Sequence, residues 1–430
     1  MIEIELLPIA TVFLIVVLVQ CMLASRYMHS VFDPLLYFVL TTSFAITFTY
    51  FQVTDPLLFV RVVFYFVAFW IGFIASARLL GVRSSVFVGA KLFENRFSAV
   101  FIVAGVVVFL LLNIFAWTRS GIPLLSSNPS LQKSESLTAG LGFIRRFNWG
   151  AGIYFFVASL YWYIYSRSRH ALACLLVMSF VSIMGGAKSA FLPVLFGLGL
   201  YLAHPFCDQK GRTWAVSIRR HSLVLFLSVL VPMVIVFLIE SDGLDTAAIA
   251  LMTRLLYFGD SMVFWGDQVL REHFSTNTRF FHYPAHLTNS VLGFFRIIPY
   301  EPAFGNQFVQ FNLGAGDEFV QSLGPNTPFY VKGELFFGFF FGFLYSLVVG
   351  CVVGLFRLQF LSFRAGSIIR YSFLSTMAIV AMTIPTEDSL FISKVFDLLL
   401  ALLIVYVLAS ILSFGGVIRV PRGEGDRDGL

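Results

Sequence analysis

The sequence predicts an all-α polytopic integral membrane protein, and three observations carry that prediction. Of 430 residues, 58% are hydrophobic and only 12% are charged, whereas soluble domains hold about 45–50% and about 25%. The mean hydropathy is +0.87. Apolar runs of about 20 residues, the length a helix needs to cross a hydrocarbon core, recur along the chain between basic loops. This excludes a soluble globular enzyme. The 52 Phe, 16 Tyr and 6 Trp also exclude a disordered chain.

The spans fall near 5–24, 34–53, 58–77, 97–117, 148–166, 170–185, 189–204, 222–240, 333–356, 371–386 and 390–413, giving about 11 transmembrane helices. The first follows Met-Ile-Glu-Ile-Glu, which lacks the basic start and small-residue cleavage site of a secretory signal, so it reads as a retained helix. The sixth and seventh are short, and Gly185-Gly186-Ala187-Lys188 between them is a turn or a break in a longer element. Short loops collect Arg78, Arg83, Lys91 and Arg96, then Arg167 and Arg169, then Lys210, Arg212, Arg219 and Arg220, then Arg357, Arg364 and Arg370. Eleven crossings put all of them, with the tail, on one face, which the positive-inside rule makes cytoplasmic. The net charge of +6 follows from that bias and implies no nucleic acid. Cys21, Cys174, Cys207 and Cys351 imply no disulfide framework.

Residues 1–240 then form a membrane domain of about eight helices with an outer loop near 118–147. A large outer loop covers 241–332, the last three helices 333–413, and a disordered cytoplasmic tail 414–430. Within the large loop, 248–271 reads as a helix lying in the membrane interface, with Asp267 and Arg271 as an i,i+4 pair. Residues 273–330, mixed in polarity, read as a folded cap of short elements.

Soluble catalytic signatures are absent: no GxGxxG, P-loop, GxSxG or CxxC occurs. Asp426-Arg427-Asp428 has the spacing of a nucleotide-sugar metal site but sits in the tail, so neither a metal nor another cofactor is expected. His282 and His286 in HYPAH have a zinc-helix spacing, but Pro284 between them argues against a helix interior, leaving acid/base work or ordinary polar roles.

The outward cations need an explanation, because the positive-inside bias does not place them. They include Arg145, Arg146, Lys188, Arg254, Arg271, Arg279, Arg296 and Lys332, while Arg61 and Lys394 lie about one turn inside spans. They suit a lipid-linked phosphate or diphosphate, or else they snorkel or pair with acids such as Asp260, Glu387 and Asp388. Glu334, in the stretch GPNTPFYVKGELFFG, is an unpaired carboxylate at the outer boundary. Desolvation there suits a proton acceptor; a helix N-terminal acid is the alternative.

That stretch resembles the Wzy-type O-antigen polymerases, in which a Pro/Ser-rich turn precedes Gly-Glu-aromatic and Phe-Gly-x-x-Gly. Supporting likenesses are Gly121-Ile122-Pro123-Leu124-Leu125, Arg145-Arg146-Phe147, Gly185-Gly186-Ala187-Lys188-Ser189, and Arg254 with Gly259-Asp260. The paired Arg-to-Gly motifs of some members occur only at Arg61–Gly72 and Arg78–Gly89, not in the outer loops.

The resemblance implies a C-type membrane glycosyltransferase architecture with a large periplasmic loop, in the bacterial inner membrane, N-terminus periplasmic and C-terminus cytoplasmic. It implies metal-independent polymerisation of undecaprenyl-diphosphate-linked oligosaccharide repeat units. Donor, acceptor and membrane lipids would be the partners, with a flippase and a chain-length regulator. Arg145, Arg146, Lys188, Arg254, Arg279 and Arg296 would hold the diphosphate. Glu334 would be the base, with His282, His286 and Asp260 behind it, and Tyr257, Phe258, Trp265 and Tyr283 would stack on sugars. The alternatives are an O-antigen ligase, for which a histidine before the last helices would be expected, and a flippase or secondary transporter.

Overall fold

A computed structural model of the chain describes residues 6–79, 96–127, 129, 132, 142–186, 191–206, 209–240, 246, 260–278, 280–313, 325–364 and 366–414. The described residues build helices and no strand. In order they are α1 (Leu6–Ala24), α2 (Pro34–Gln52), α3 (Pro56–Leu79), α4 (Arg96–Ser120), α5 (Gly142–Ser166), α6 (Arg169–Met184), α7 (Leu192–Ala203), α8 (Gln209–Arg220) and α9 (Ser222–Glu240). Four short helices follow, α10 (Asp260–Gly266), α11 (Gln268–Asn277), α12 (Tyr283–Phe294) and α13 (Phe304–Leu313). Next come one helical turn (Phe329–Lys332), a π-helical segment (Gly333–Phe337) and α14 (Gly338–Leu361), then α15 (Ile368–Ala381) and α16 (Asp388–Phe414).

Among the described residues, six stretches are long and apolar enough to cross a membrane: Leu7–Ala24, Pro34–Gln52, Pro56–Ser76, Phe97–Leu125, Phe329–Leu361 and Asp388–Phe414. Shorter apolar helices accompany them at Arg169–Met184, Leu192–Ala203 and Ile368–Ala381. The chain is thus an all-α membrane protein. The Gly185-Gly186 break is a turn between α6 and α7, with Gly186 at φ +63°.

α5 runs through the core; Ala151, Tyr154, Phe155, Val157, Ala158 and Tyr161 have no exposed surface. Among the described helices the most extensive contact is α3 on α14, and its cause is visible in the sequence. A Cβ on Gly350 would lie 2.0 Å from the Phe69 carbonyl oxygen, and one on Gly72 2.0 Å from that of Leu347. Apolar burial cannot drive association within lipid, so close backbone approach at small residues supplies the packing instead. α1 lies at the periphery and is tied to α2 by one polar clasp. Gln20 Nε2 donates to Ser43 Oγ at 2.9 Å while its Oε1 accepts from Thr42 Oγ1 at 3.1 Å.

The bundle has two polar ends. At one, Arg357 of α14 meets Asp33, the N-cap of α2. At the other, α10–α13 lie over the starts of α3, the π segment and α16. The helix expected over 248–271 breaks here at Asp267; its residues 248–259 lie outside the described residues. Asp267 Oδ1 accepts from Val269 N (2.8 Å) and Leu270 N (3.3 Å), capping α11. Because Asp267 caps, Arg271 reaches instead to Asp55 at 3.5 Å, and the expected Asp267–Arg271 pair does not form.

Candidate functional site

Glu334 sits in the π-helical segment, a geometry that inserts an extra residue per turn and recurs at functional sites. Gly338 ends the segment at φ +67°, a conformation that favours glycine. The sequence expectation of an unpaired carboxylate is corrected. Arg61 Nη1 donates to Glu334 Oε1 at 2.5 Å, and the buried Tyr65 hydroxyl donates to Oε2. A carboxylate in so apolar a neighbourhood requires such partners, and they come from a helix 269 to 273 positions earlier.

This pair remains open on one side. The Arg61 side chain is 33% exposed and the Glu334 side chain 10%. Leu57 and Phe64, on the same face of α3 as Arg61, are exposed, and so are Phe340 and Phe341 just beyond the π segment. The guanidinium therefore emerges on an apolar lateral face of the bundle. One Arg61 nitrogen binds Glu334 and the group lies 5.5 Å from the Phe339 ring centre, so much of its five-donor fork is uncommitted.

Two residues earlier, Lys332 is fully buried. Its Nζ donates to both Glu387 Oε1 and Asp388 Oδ1. Asp388 Oδ2 accepts from the hydroxyls of Tyr283 and Tyr345, each at 2.6 Å. Glu387 Oε2 accepts from Thr327 N at 2.9 Å, and its Oε1 from Ser389 Oγ at 2.7 Å. The cluster joins the cap helix α12, the turn before the π segment, α14 and α16.

His286, one turn into α12, completes a group of potential metal donors. Ligand atoms of His286, Glu387 and Asp388 lie within 4.8 Å of one another. The donor set does not fit a metal, because the Lys332 ammonium already bonds both carboxylates and supplies the countercharge. Burial, assisted by the Lys332 charge, pushes His286 down to about 3, so the imidazole is neutral near pH 7. Its Nε2 is buried without a hydrogen-bond partner, and the ring packs on Phe304 and Phe336. Tyr283 is pushed well above the ordinary phenol range by burial and by Asp388.

A third junction involves Arg146, which donates to Asp397 at 2.7 Å and to the Ser290 carbonyl, and lies over the Phe294 ring. It fastens α5 to α16 and to α12. Arg145 lies over Trp149, 4.3 Å from the ring centre. His282 is exposed at the start of α12. As the sequence indicates, Pro284 is not in a helix interior: it occupies the first turn of α12, where a missing N–H costs nothing, and His282 is the N-cap, so only His286 lies within the helix. Arg296 is exposed at φ +57° in the turn after α12.

Asp260 begins α10, and its side chain lies outside the described residues, as do Lys188, Arg254, Arg279, Tyr257 and Phe258. Trp265, expected as a sugar platform, is 1% exposed and stacks on Phe308, and Tyr283 is engaged with Asp388. Sequence reasoning missed Tyr65, Tyr345 and Asp397. Only Asp397 had left a signal, as an acid inside an apolar run. In comparison with known proteins, no protein-family model matches this sequence, and no curated protein or solved structure matches it.

Proposed function

We propose that this chain is a metal-independent glycosyltransferase of the bacterial inner membrane. In this reading it polymerises undecaprenyl-diphosphate-linked oligosaccharide repeat units at the periplasmic face, with about 11 crossings, a periplasmic N-terminus and a cytoplasmic C-terminus. The observation that carries the reading is the sideways opening of Arg61 and Glu334 between exposed Leu57, Phe64, Phe340 and Phe341. An amphiphilic substrate meets both halves of that surface. Its prenyl tail lies along the apolar side chains, and its diphosphate takes the uncommitted N–H groups of Arg61.

The chemistry follows from the same atoms. An acceptor hydroxyl approaches Glu334, which takes its proton as the hydroxyl oxygen attacks the anomeric carbon of the donor. The bond from that carbon to the diphosphate oxygen breaks, and the lipid diphosphate leaves with the electron pair, stabilised by Arg61. Arg145, Lys188, Arg254, Arg279 and Arg296 remain candidates for the second substrate's diphosphate. Arg146 ranks lower because Asp397 and Ser290 already engage it.

The test is purified protein in lipid vesicles supplied with undecaprenyl-diphosphate repeat units and no nucleotide sugar or metal. A ladder of lengthening glycans is expected, and Glu334→Gln should abolish it while the protein still inserts. Movement of the intact lipid across the bilayer without any ladder would establish a transporter instead. Transfer of finished glycan to lipid A-core alone would establish a ligase.

A further inference from the structure

The end of the bundle opposite the cap carries guanidiniums that no described carboxylate pairs. Arg167, Arg169, Arg219, Arg220, Arg364 and Arg370 are all exposed there, and none forms an ion pair among the described residues. The described acid at this end, Asp33, is buried and committed to Arg357. Among the described residues the cap end holds Asp55, Asp267, Glu272, Glu334, Glu387, Asp388 and Asp397, so the described carboxylates gather at the end away from these arginines.

α8 organises this surface. Ala215 and Ile218 are buried against the bundle, while Arg219 and Arg220 are exposed and Val216 is 66% exposed. Leu223 and Val224, at the start of the next helix, are also exposed. Arg167, whose backbone takes φ +55°, places its guanidinium over the Trp214 ring, 4.1 Å from its centre. Arg219 reaches back toward the Leu202 carbonyl at 3.5 Å, the edge of hydrogen-bond range. A helix with a buried apolar face, a basic outer face, an indole at its border and exposed aliphatics beside it has the build of an interfacial element.

We infer that this end binds the headgroups of anionic phospholipids, with α8 lying in the headgroup layer. Charge complementarity identifies the occupant. Unpaired guanidiniums suit phosphodiesters bidentately, and the exposed Val216, Leu223 and Val224 give the acyl chains a contact that a soluble polyanion lacks. The inference is independent of the proposed glycosyl transfer.

Trp214 reports on the site directly. Full-length protein is reconstituted in phosphatidylcholine vesicles containing a minor fraction of brominated phosphatidylglycerol or brominated phosphatidylcholine. The Trp214 quench is the difference between wild type and Trp214→Phe. With each interfacial Arg contributing about fivefold in binding, brominated phosphatidylglycerol should quench with at least about tenfold preference. The preference should disappear in R167Q/R219Q/R220Q and at high salt, and should survive Arg271→Gln at the opposite end. Equal quenching by the two lipids overturns the inference, as does a preference that survives the triple substitution. If the triple variant does not insert, a wild-type preference that persists in high salt overturns it equally.

Discussion

Two arginine–carboxylate pairs sit at opposite ends of the bundle, and they are built differently. Arg357 and Asp33 have side chains 5% and 0% exposed and meet through two parallel contacts of 2.7 and 2.6 Å. Every oxygen is in use, since Asp33 also accepts from Leu35 N and His29 N, and Arg357 also donates to the Tyr27 carbonyl. Arg61 and Glu334 share one contact, on a helix face that opens sideways. The first pair is a closed joint between α2 and α14. The second keeps hydrogen-bonding capacity in reserve, which a joint does not need and a binding site does.

The difference predicts opposite consequences of removing each arginine. Arg357→Leu leaves Asp33 as an uncompensated buried charge and should destabilise the protein by about 3–5 kcal/mol, read as a drop in unfolding midpoint in detergent. Adding Asp33→Asn should recover part of that loss. Arg61→Gln should cost only about 1–2 kcal/mol, yet lower glycan-ladder formation by about a hundredfold or more. Equal stability losses, or an active Arg61→Gln, would erase the distinction between the two pairs.

The Lys332 cluster extends the comparison, because it is closed like the first pair but lies beside the second. Lys332→Met should destabilise by about 3 kcal/mol, toward the lower end because Tyr283, Tyr345 and Thr327 still donate to the two carboxylates. Combining it with Asp388→Asn should be less destabilising than the sum of the two changes, a coupling measurable by a double-mutant cycle.

His286 makes the cap end sensitive to acid. Its folded value of about 3 lies below the ordinary histidine value of 6.5. Below 6.5 the unfolded chain therefore binds a proton that the folded chain refuses, and stability falls as pH drops from there toward 3. At pH 5 the loss from this group is about 2 kcal/mol. His286→Phe, which keeps the ring packing on Phe304 and Phe336, should flatten that part of the stability–pH curve. An unchanged curve would show that the loss arises elsewhere among Lys332, Glu387 and Asp388.

The legible part of this molecule was what local pattern can carry. Apolar runs announced the helices, and Glu334 and Arg61 each stood out as charges that lipid does not tolerate alone. Their pairing was not legible, because it depends on α3 and α14 crossing at Gly72 and Gly350, a contact between positions far apart in the chain. Lys332 illustrates the same limit: counted by loop position it looks outward-facing, but Glu387 and Asp388 draw it into the interior. Asp267 shows a local rule misapplied. Its spacing to Arg271 fits a helical ion pair, but an acid two residues before free amides caps them first.

That choice at Asp267 gives the smallest and most discriminating test of the closed-versus-open distinction. It sends Arg271 to Asp55, forming a third arginine–carboxylate contact at 3.5 Å, with side chains 26% and 41% exposed. This contact is longer than either of the other two, and its carboxylate is more exposed. Solvent screens the attraction, and two flexible side chains lose rotamer freedom to make it, so Arg271→Ala should change stability by less than about 1 kcal/mol. It should also leave ladder formation intact, because Arg271 contacts neither Glu334 nor its partner Arg61 among the described residues. A large loss of activity without loss of stability would move the substrate surface from the side of α3 up beneath the cap, and Arg61 would no longer be distinguished by where it faces.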